Sequence, residues 1–366
     1  MSMVAKEEKI INACRFCWMC RHVCPVGKVT GLERNNARAR ALALSLVTRG
    51  QSLTADIVDN IYECVLCGAC TKDCVTGFDP TRFVKAARLE AALEGLTPES
   101  VVRILDDLEQ YSNPYAGTVL APALQEAIAS LPQQAPILFY LGSSARYQNP
   151  QAAVTAIRLM KKAGVNFTVM MDEPDSGLYK ANLLGSVAET RESMVQTAEM
   201  INKTKAEILV AFGPSCAKAF LRDYPEYNIL LSPQVRTFTS WLNTLIQDGA
   251  LVPTNRQNVI TFHDPCTLAR DLEEEDPARE ILAACGTLKE MFLHGKHTMC
   301  CGSGLMDLYA PALTAKMSSS RWNSAQETGA QTLVTACPSC YTVFAKTQPD
   351  RMRLCGIESI VWEACK

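Results

Sequence analysis

The sequence predicts a multidomain α+β and α/β protein: a cysteine-rich helical domain first, then an α/β domain built twice from one unit. Three observations carry this reading. The run C-x-x-C-x-x-C-x-x-x-C occurs twice before residue 75. Stretches of helix formers separate and follow the two runs. From residue 136 onward, short apolar runs alternate with helical patterns, and several of these segments recur at nearly one offset.

The chain has 366 residues, enough for two or three domains, and its 48% hydrophobic and 20% charged composition is globular. A net charge of −2 gives no global attraction to nucleic acid, which is therefore not an expected partner. The opening residues carry neither an apolar signal region nor a twin-arginine motif, and no stretch approaches the ~18–20 apolar residues of a transmembrane helix. The expected location is cytoplasmic, either free or peripheral on the inner face of a membrane. Seventeen cysteines are the outlying number. They cluster at ligand spacings, so thiolate ligands in a reducing compartment account for them better than disulfides.

The first run is Cys14, Cys17, Cys20 and Cys24, followed by Pro25; the second is Cys64, Cys67, Cys70 and Cys74. Three cysteines at i, i+3 and i+6 on a tightly wound loop aim three thiolates at one cluster. The fourth, past a change of chain direction, reaches the other cluster. The expected ligand sets are Cys14, Cys17, Cys20 and Cys74 for one [4Fe–4S] cluster, and Cys64, Cys67, Cys70 and Cys24 for a second. Zinc usually takes two close pairs, a poorer match to four cysteines in register. Val75 stands where the second motif often carries proline, and Trp18-Met19 stands where glycine is common, a place that Gly68 keeps.

Between the runs, residues 35–49 are rich in Ala, Leu and Arg, with Gly50 as a stop. A second helix is expected from Thr54 into Cys64, and a third from Asp79-Pro80, with proline in its first turn. Helices in place of short strands resemble the α-helical ferredoxins of succinate dehydrogenase and heterodisulfide reductase, over roughly residues 8–95.

Strands are expected at 137–141, 165–170, 208–212, 229–231, 259–262 and 332–335, with helices at 151–162, 235–247 and 313–326. Ile208–Cys216 aligns with Thr332–Cys340 at an offset of 124, Ile137–Ser144 with Val259–Cys266 at 122, and Asp175–Gly177 with Cys300–Gly302 at 125. A unit of about 120 residues is thus expected twice. The expected domains are 1–98 (helical, two clusters), 99–135 (helical linker), 136–253 (degenerate repeat) and 254–366 (intact repeat).

In the second copy, Cys266, Cys300, Cys301, Cys337 and Cys340 stand in the pattern C-x33-CCG-x34-C-x-x-C, with His263-Asp264-Pro265 before Cys266. This resembles the CCG domain of heterodisulfide reductase, and of the iron–sulfur subunits of glycolate oxidase and anaerobic glycerol-3-phosphate dehydrogenase. The resemblance implies that these five cysteines hold a third iron–sulfur centre, cubane or non-cubane, with zinc the alternative. The first copy carries Ser144, Asp175, Ser176 and Gly213 at four of the five places and keeps only Cys216, so no cluster is expected there. Glu173 and Asp175 offer a hard-metal or substrate site; a plain scaffold is the preferred account.

His263 is the candidate catalytic residue, as a donor to cluster sulfur or a proton shuttle, with a hydrogen-bonded loop residue as the simpler role. His294 and His297 read as structural, Cys285 as core, and Arg21-His22 as an exposed loop; Cys355 and Cys365 stay unassigned. Neither a G-x-G-x-x-G after a strand nor a P-loop is present, so a nicotinamide, flavin or ATP is not expected on this chain. The expected function is that of an iron–sulfur electron-transfer subunit. It would work between a flavoprotein dehydrogenase, or an electron-transferring flavoprotein, and a quinone, disulfide or other acceptor. A catalytic thiol/disulfide reductase component is the alternative. A redox sensor would need an effector module, and no basic helix-turn-helix is seen.

Overall fold

The computed structural model describes residues 2–185, 188–254 and 259–365. Met1 and Lys366, the outer ends of the first and last expected domains, lie outside them. The first domain is helical. Helix α1 (Ala37–Thr48) starts where the Asn36 side chain accepts from the Ala39 N–H, and it stops at Gly50, whose φ is +95°. Helix α2 (Ala55–Tyr62) is capped by Thr54, and α3 (Pro80–Leu93) by Asp79 with Pro80 in its first turn. Ala37, Ala41, Leu44 and Val47, spaced three and four apart on α1, face Val58, Ile61, Phe83, Val84 and Ala87 in one core that also takes in Cys14 and Cys20. Among the described residues no strand precedes Ile137.

Two four-stranded, all-parallel sheets follow, with helices between their strands. The first has the order β2-β1-β3-β4, from β1 (Ile137–Tyr140), β2 (Phe167–Thr168), β3 (Ile208–Ala211) and β4 (Gln234–Thr237). The second has the order β6-β5-β7-β8, from β5 (Val259–His263), β6 (Thr287–Leu288), β7 (Thr332–Thr335) and β8 (Arg353–Gly356). One strand expectation fails. Residues 229–231 are not a strand; β4 lies just beyond them, pairing Ile208 with Gln234, and the helix expected from 235 begins at Phe238. The apolar run at 229–231 instead supplies Ile229 to the core around Phe220 and Tyr224. Strands β6 and β8 were not expected: the first is two residues long and half exposed, and the second, four residues long and buried from Leu354 to Gly356, shows no alternation. The ladder pairs Ile137 with Ile208 and Ile260 with Thr332. Counted from these pairs, the residue placed like Cys266 is Ser143, one before the Ser144 expected from sequence.

The three units share interior contacts. Arg88 of α3, 2% exposed, donates to the carbonyls of Asn182, Ile61 and Cys64. A single guanidinium thus pins the second cysteine run against the first α/β unit.

Helix α4 (Ile357–Ala364) closes the chain and buries Glu358, whose carboxyl burial pushes up to about 7. A carboxyl raised in the folded state stabilises fully below its unfolded pKa, and that stability is lost as pH rises through the folded value. Glu358→Gln should therefore raise the urea midpoint at pH 8 by more than at pH 5. Equal midpoint shifts at the two pH values would contradict this.

Candidate iron–sulfur sites

The two cysteine runs fold into matching loops. Phe16 and Leu66, each two residues after the first cysteine of its run, take φ of 53° and 52°. That left-handed residue winds the chain so that three thiols converge, and the Phe16 N–H points back at Cys14 Sγ, 3.4 Å away. The loops diverge two residues later. Gly68 has φ +70°, whereas Trp18 stays at −97°, so the first loop needs no glycine there. Trp18 is half exposed, with Arg38 3.8 Å and Arg21 5.4 Å from its ring centre.

One apolar cavity is lined by Cys14, Cys17, Cys20 and Cys74, with Cys70 also on its wall. Another is lined by Cys24, Cys64, Cys67 and Cys70. Each cavity therefore receives three thiols from one run and the last cysteine of the other. Arg40 lines the second cavity, is 2% exposed, and donates to the carbonyls of Asn60 and Asn35 while its Nη2 has no partner. A buried guanidinium with a free N–H beside four thiols fits an anionic cluster.

The five cysteines of the last unit also converge. Cys266 follows β5 and opens a wide π-type turn, Thr267–Asp271; its Sγ lies 3.8 Å from that of Cys300. Cys337 and Cys340 sit where β7 gives way to the helix Pro338–Ala345, and the Cys340 N–H reaches Cys337 Sγ at 3.5 Å. Gly302, φ +90°, turns the chain behind Cys300 and Cys301; a Cβ there would lie 3.3 Å from Met317 and Thr314. Cys300, Cys301, Cys337 and Cys340 are buried. A ring nitrogen of His263 and the sulfurs of Cys301 and Cys340 lie within 4.8 Å of one another.

This site abuts the ferredoxin-like domain. Cys67 packs against the hydrophobic cluster that contains Cys300; the Cys300 thiol, and more weakly Arg270, push Cys67 below the ordinary thiol range against the effect of burial. Arg270, 6% exposed, donates to the carbonyls of Cys67, Lys296 and Thr298 and keeps Nη2 without a partner. Its charge acts on Cys67, Cys266 and Cys300 together. Sequence reasoning missed Arg40, Arg270 and Arg321, because a buried arginine carries no sequence mark that separates it from a surface one.

The first α/β unit is arranged otherwise. Ser143 donates to Asp175 at 3.2 Å, in the place where the last unit has Cys266 beside Cys300. Both oxygens of Glu173 accept backbone N–H groups, from Leu141 and Gly142 at 2.8 and 2.7 Å. Asp175, pushed by burial to about 6, also accepts from the Gly177 N–H. These carboxylates are held by the loop ends. Ser144 bonds Tyr115, Tyr179 and Ser339 at 2.8, 2.9 and 2.7 Å. Ser176 and Cys216 are buried, Gly213 has only Cys216 Sγ and the Leu141 carbonyl near its Cβ position, and a Cβ on Gly142 would stand 2.8 Å from that sulfur. Elsewhere His294 bonds the Met291 carbonyl, His297, Arg21 and His22 are exposed, and Cys285 and Cys355 are core residues with Cys365 packed beside them.

Residues 10–78 match the 4Fe-4S dicluster domain and residues 260–345 the cysteine-rich CCG domain. The chain is an iron–sulfur protein of the oxidoreductase type, resembling the CCG-domain iron–sulfur subunits. It is 27% identical to a subunit of the dihydromethanophenazine:CoB–CoM heterodisulfide reductase of Methanosarcina barkeri, over 77% of this chain and 71% of that one. It is 25% identical to the probable iron-sulfur-binding oxidoreductase FadF of Bacillus subtilis, over 82% of this chain. It is 24% identical to the EtfAB:quinone oxidoreductase of Syntrophomonas wolfei, over 86%. The matches cover only 46% and 48% of those last two proteins. No helix among the described residues is long and apolar enough to cross a membrane.

Cys216→Ser should leave the iron content of anaerobically purified protein unchanged, because Ser143, Asp175, Ser176 and Gly213 surround it with no other thiol of its own unit. Cys301→Ser should remove the iron of the last site while the ferredoxin-type electron paramagnetic resonance signals persist. Iron loss in the Cys216 variant would show that the first α/β unit supplies a ligand.

Proposed function

We propose that this chain is the iron–sulfur electron-transfer subunit of an oxidoreductase complex, with three clusters in series. One observation carries the reading: the three thiol sites are contiguous. Cys70 lies on the walls of both ferredoxin-type cavities, and Cys67 of the second meets Cys300 of the last. Bound clusters supply reversible one-electron chemistry, and the protein sets their order, burial and hydrogen bonds. Cys17 is the exposed cysteine of the set, so the path runs from the surface to the buried CCG site.

In this reading Cys14, Cys17, Cys20 and Cys74 hold the outer cluster, and Cys64, Cys67, Cys70 and Cys24 the middle one. Cys266, Cys300, Cys301, Cys337 and Cys340 hold the terminal centre. The domains run 1–98, 99–135, 136–253 and 254–366. The last two are copies of one unit, a reading supported by their equal strand orders and by the wide turns after β1 and β5. The partner is a flavoprotein dehydrogenase or electron-transferring flavoprotein, and the acceptor a quinone or a disulfide; the names of the EtfAB:quinone oxidoreductase and heterodisulfide reductase relatives support both. The working place is the cytoplasm or the inner face of a membrane.

The alternative, a disulfide reductase working between two facing CCG clusters, is disfavoured by the Ser143–Asp175 pair and the Ser144 hydroxyl network in the first unit. Purified anaerobically, the protein should hold about twelve irons, as three four-iron clusters. It should accept electrons from dithionite, pass electrons from reduced viologen to disulfides only slowly, and turn over when a flavoprotein partner is added. Rapid disulfide-dependent viologen oxidation, abolished by Cys301→Ser, would make the reductase reading the better one.

A further inference from the structure

We propose that His263 is a positioning residue whose ring is locked by Arg321 as a neutral hydrogen-bond donor to the cysteine sulfurs of the last cluster, and is not itself an iron ligand. The inference rests on the reading that Cys266, Cys300, Cys301, Cys337 and Cys340 hold an iron–sulfur centre.

The lock is a matter of hydrogen bookkeeping. Arg321 Nε donates to His263 Nδ1 at 3.2 Å, and both residues are 0% exposed. A guanidinium has five N–H donors and no acceptor, so His263 Nδ1 must present its lone pair. Arg321 cannot turn away. Its Nη1 donates to the Leu293 carbonyl at 2.8 Å and its Nη2 to Thr298 Oγ1 at 3.2 Å. With Nδ1 accepting, the neutral imidazole carries its hydrogen on Nε2. That atom is buried, has no hydrogen-bond partner, and is the ring nitrogen left to face Cys301 and Cys340. The ring plane is held from the side by Phe344, edge-on at 4.8 Å.

The same geometry excludes ligation. A histidine that binds a metal through one nitrogen donates the hydrogen on the other to a carbonyl or carboxylate. Here the other nitrogen meets a donor. Ligation through Nε2 would strip both nitrogens of hydrogen and leave an imidazolate in a buried site. The grouping of His263 with Cys301 and Cys340 therefore describes two thiolates and an N–H aimed at them. An N–H on a thiolate sulfur offsets part of the negative charge that the cluster gains on reduction, so it raises the cluster's electron affinity.

The test uses anaerobic holoprotein with 15N-labelled histidine. Pulsed electron paramagnetic resonance of the wild-type last centre should show a weakly coupled nitrogen, the signature of a hydrogen bond across sulfur. A strong, directly bonded nitrogen coupling would overturn the proposal. His263→Leu should keep its iron and lower the electron affinity of the last centre about tenfold, which is ~59 mV for a one-electron couple. His263→Gln, which can restore an N–H toward sulfur, should recover most of that shift. Loss of iron from the last site in both variants would assign His263 as a ligand, and an unchanged potential in an iron-replete leucine variant would remove its role as donor. Should the leucine variant fail to fold, the wild-type nitrogen coupling alone decides. If the wild type lacks iron at the CCG site, it is the function proposed above that fails.

Discussion

Arg270 is the constraint on which the arrangement of the sites depends. Moving a guanidinium into a protein interior costs several kcal/mol unless charges and acceptors compensate. Arg270 meets the carbonyls of Cys67, Lys296 and Thr298, which belong to two domains and two loops. It also stands close to the sulfurs of Cys67, Cys266 and Cys300. It finds those acceptors and thiols only when the second cysteine run, the wide turn after β5 and the loop before Cys300 are all in place. Burial that would be costly in any one domain thus favours their docking, and it fixes the junction between two thiol sites.

Around that junction the fold shows how many thiolates share a small volume. Each added negative charge is opposed by its neighbours, and Cys70, chiefly through desolvation, and Cys300, chiefly through its bonds to neighbouring thiols, are pushed well above the ordinary thiol range. The compensation is local and uneven. Arg40 stands at the middle site, Arg270 at the junction, and Arg321 behind His263 at the last site. The outer site has Arg38 within electrostatic reach of Cys14 and is the most solvated. Because cluster potentials follow burial and hydrogen bonding to sulfur, clusters held at sites this different would differ in potential.

Much of this was legible in the sequence. The spacing of Cys14 to Cys24 and of Cys64 to Cys74 is local geometry, so it survives folding unchanged, and the caps Asn36, Thr54 and Asp79 mark helices with side chains close in sequence. The strands at 137, 208 and 259 are apolar through most of their length, as strands covered on both faces should be, and the strand at 332 is buried though half of it is threonine. Edge strands were harder: β4, β6 and β8 are short and partly exposed, so no pattern distinguishes them from loops. The arginines were illegible for a different reason. What makes Arg270 or Arg321 matter is a set of carbonyls between 26 and 203 residues away in the chain, and no local rule reaches that far.

The two α/β units differ most where their resemblance is closest. After β5 the loop ends offer thiols; after β1 they offer Ser143, Ser144 and Asp175. Small hydroxyls and carboxylates can satisfy one another in the dry loop ends of a parallel sheet, where unpaired thiolates could not remain without a cation. The first unit accordingly carries Ser143, Asp175, Ser176 and Gly213 at its loop ends, beside the single thiol of Cys216. Its Ser144 then bonds Ser339, which sits between Cys337 and Cys340. The unit without a full thiol set thus supports the loop of the unit that keeps one. In the proposed electron path, that hydroxyl network is the polar wall behind the last thiol site.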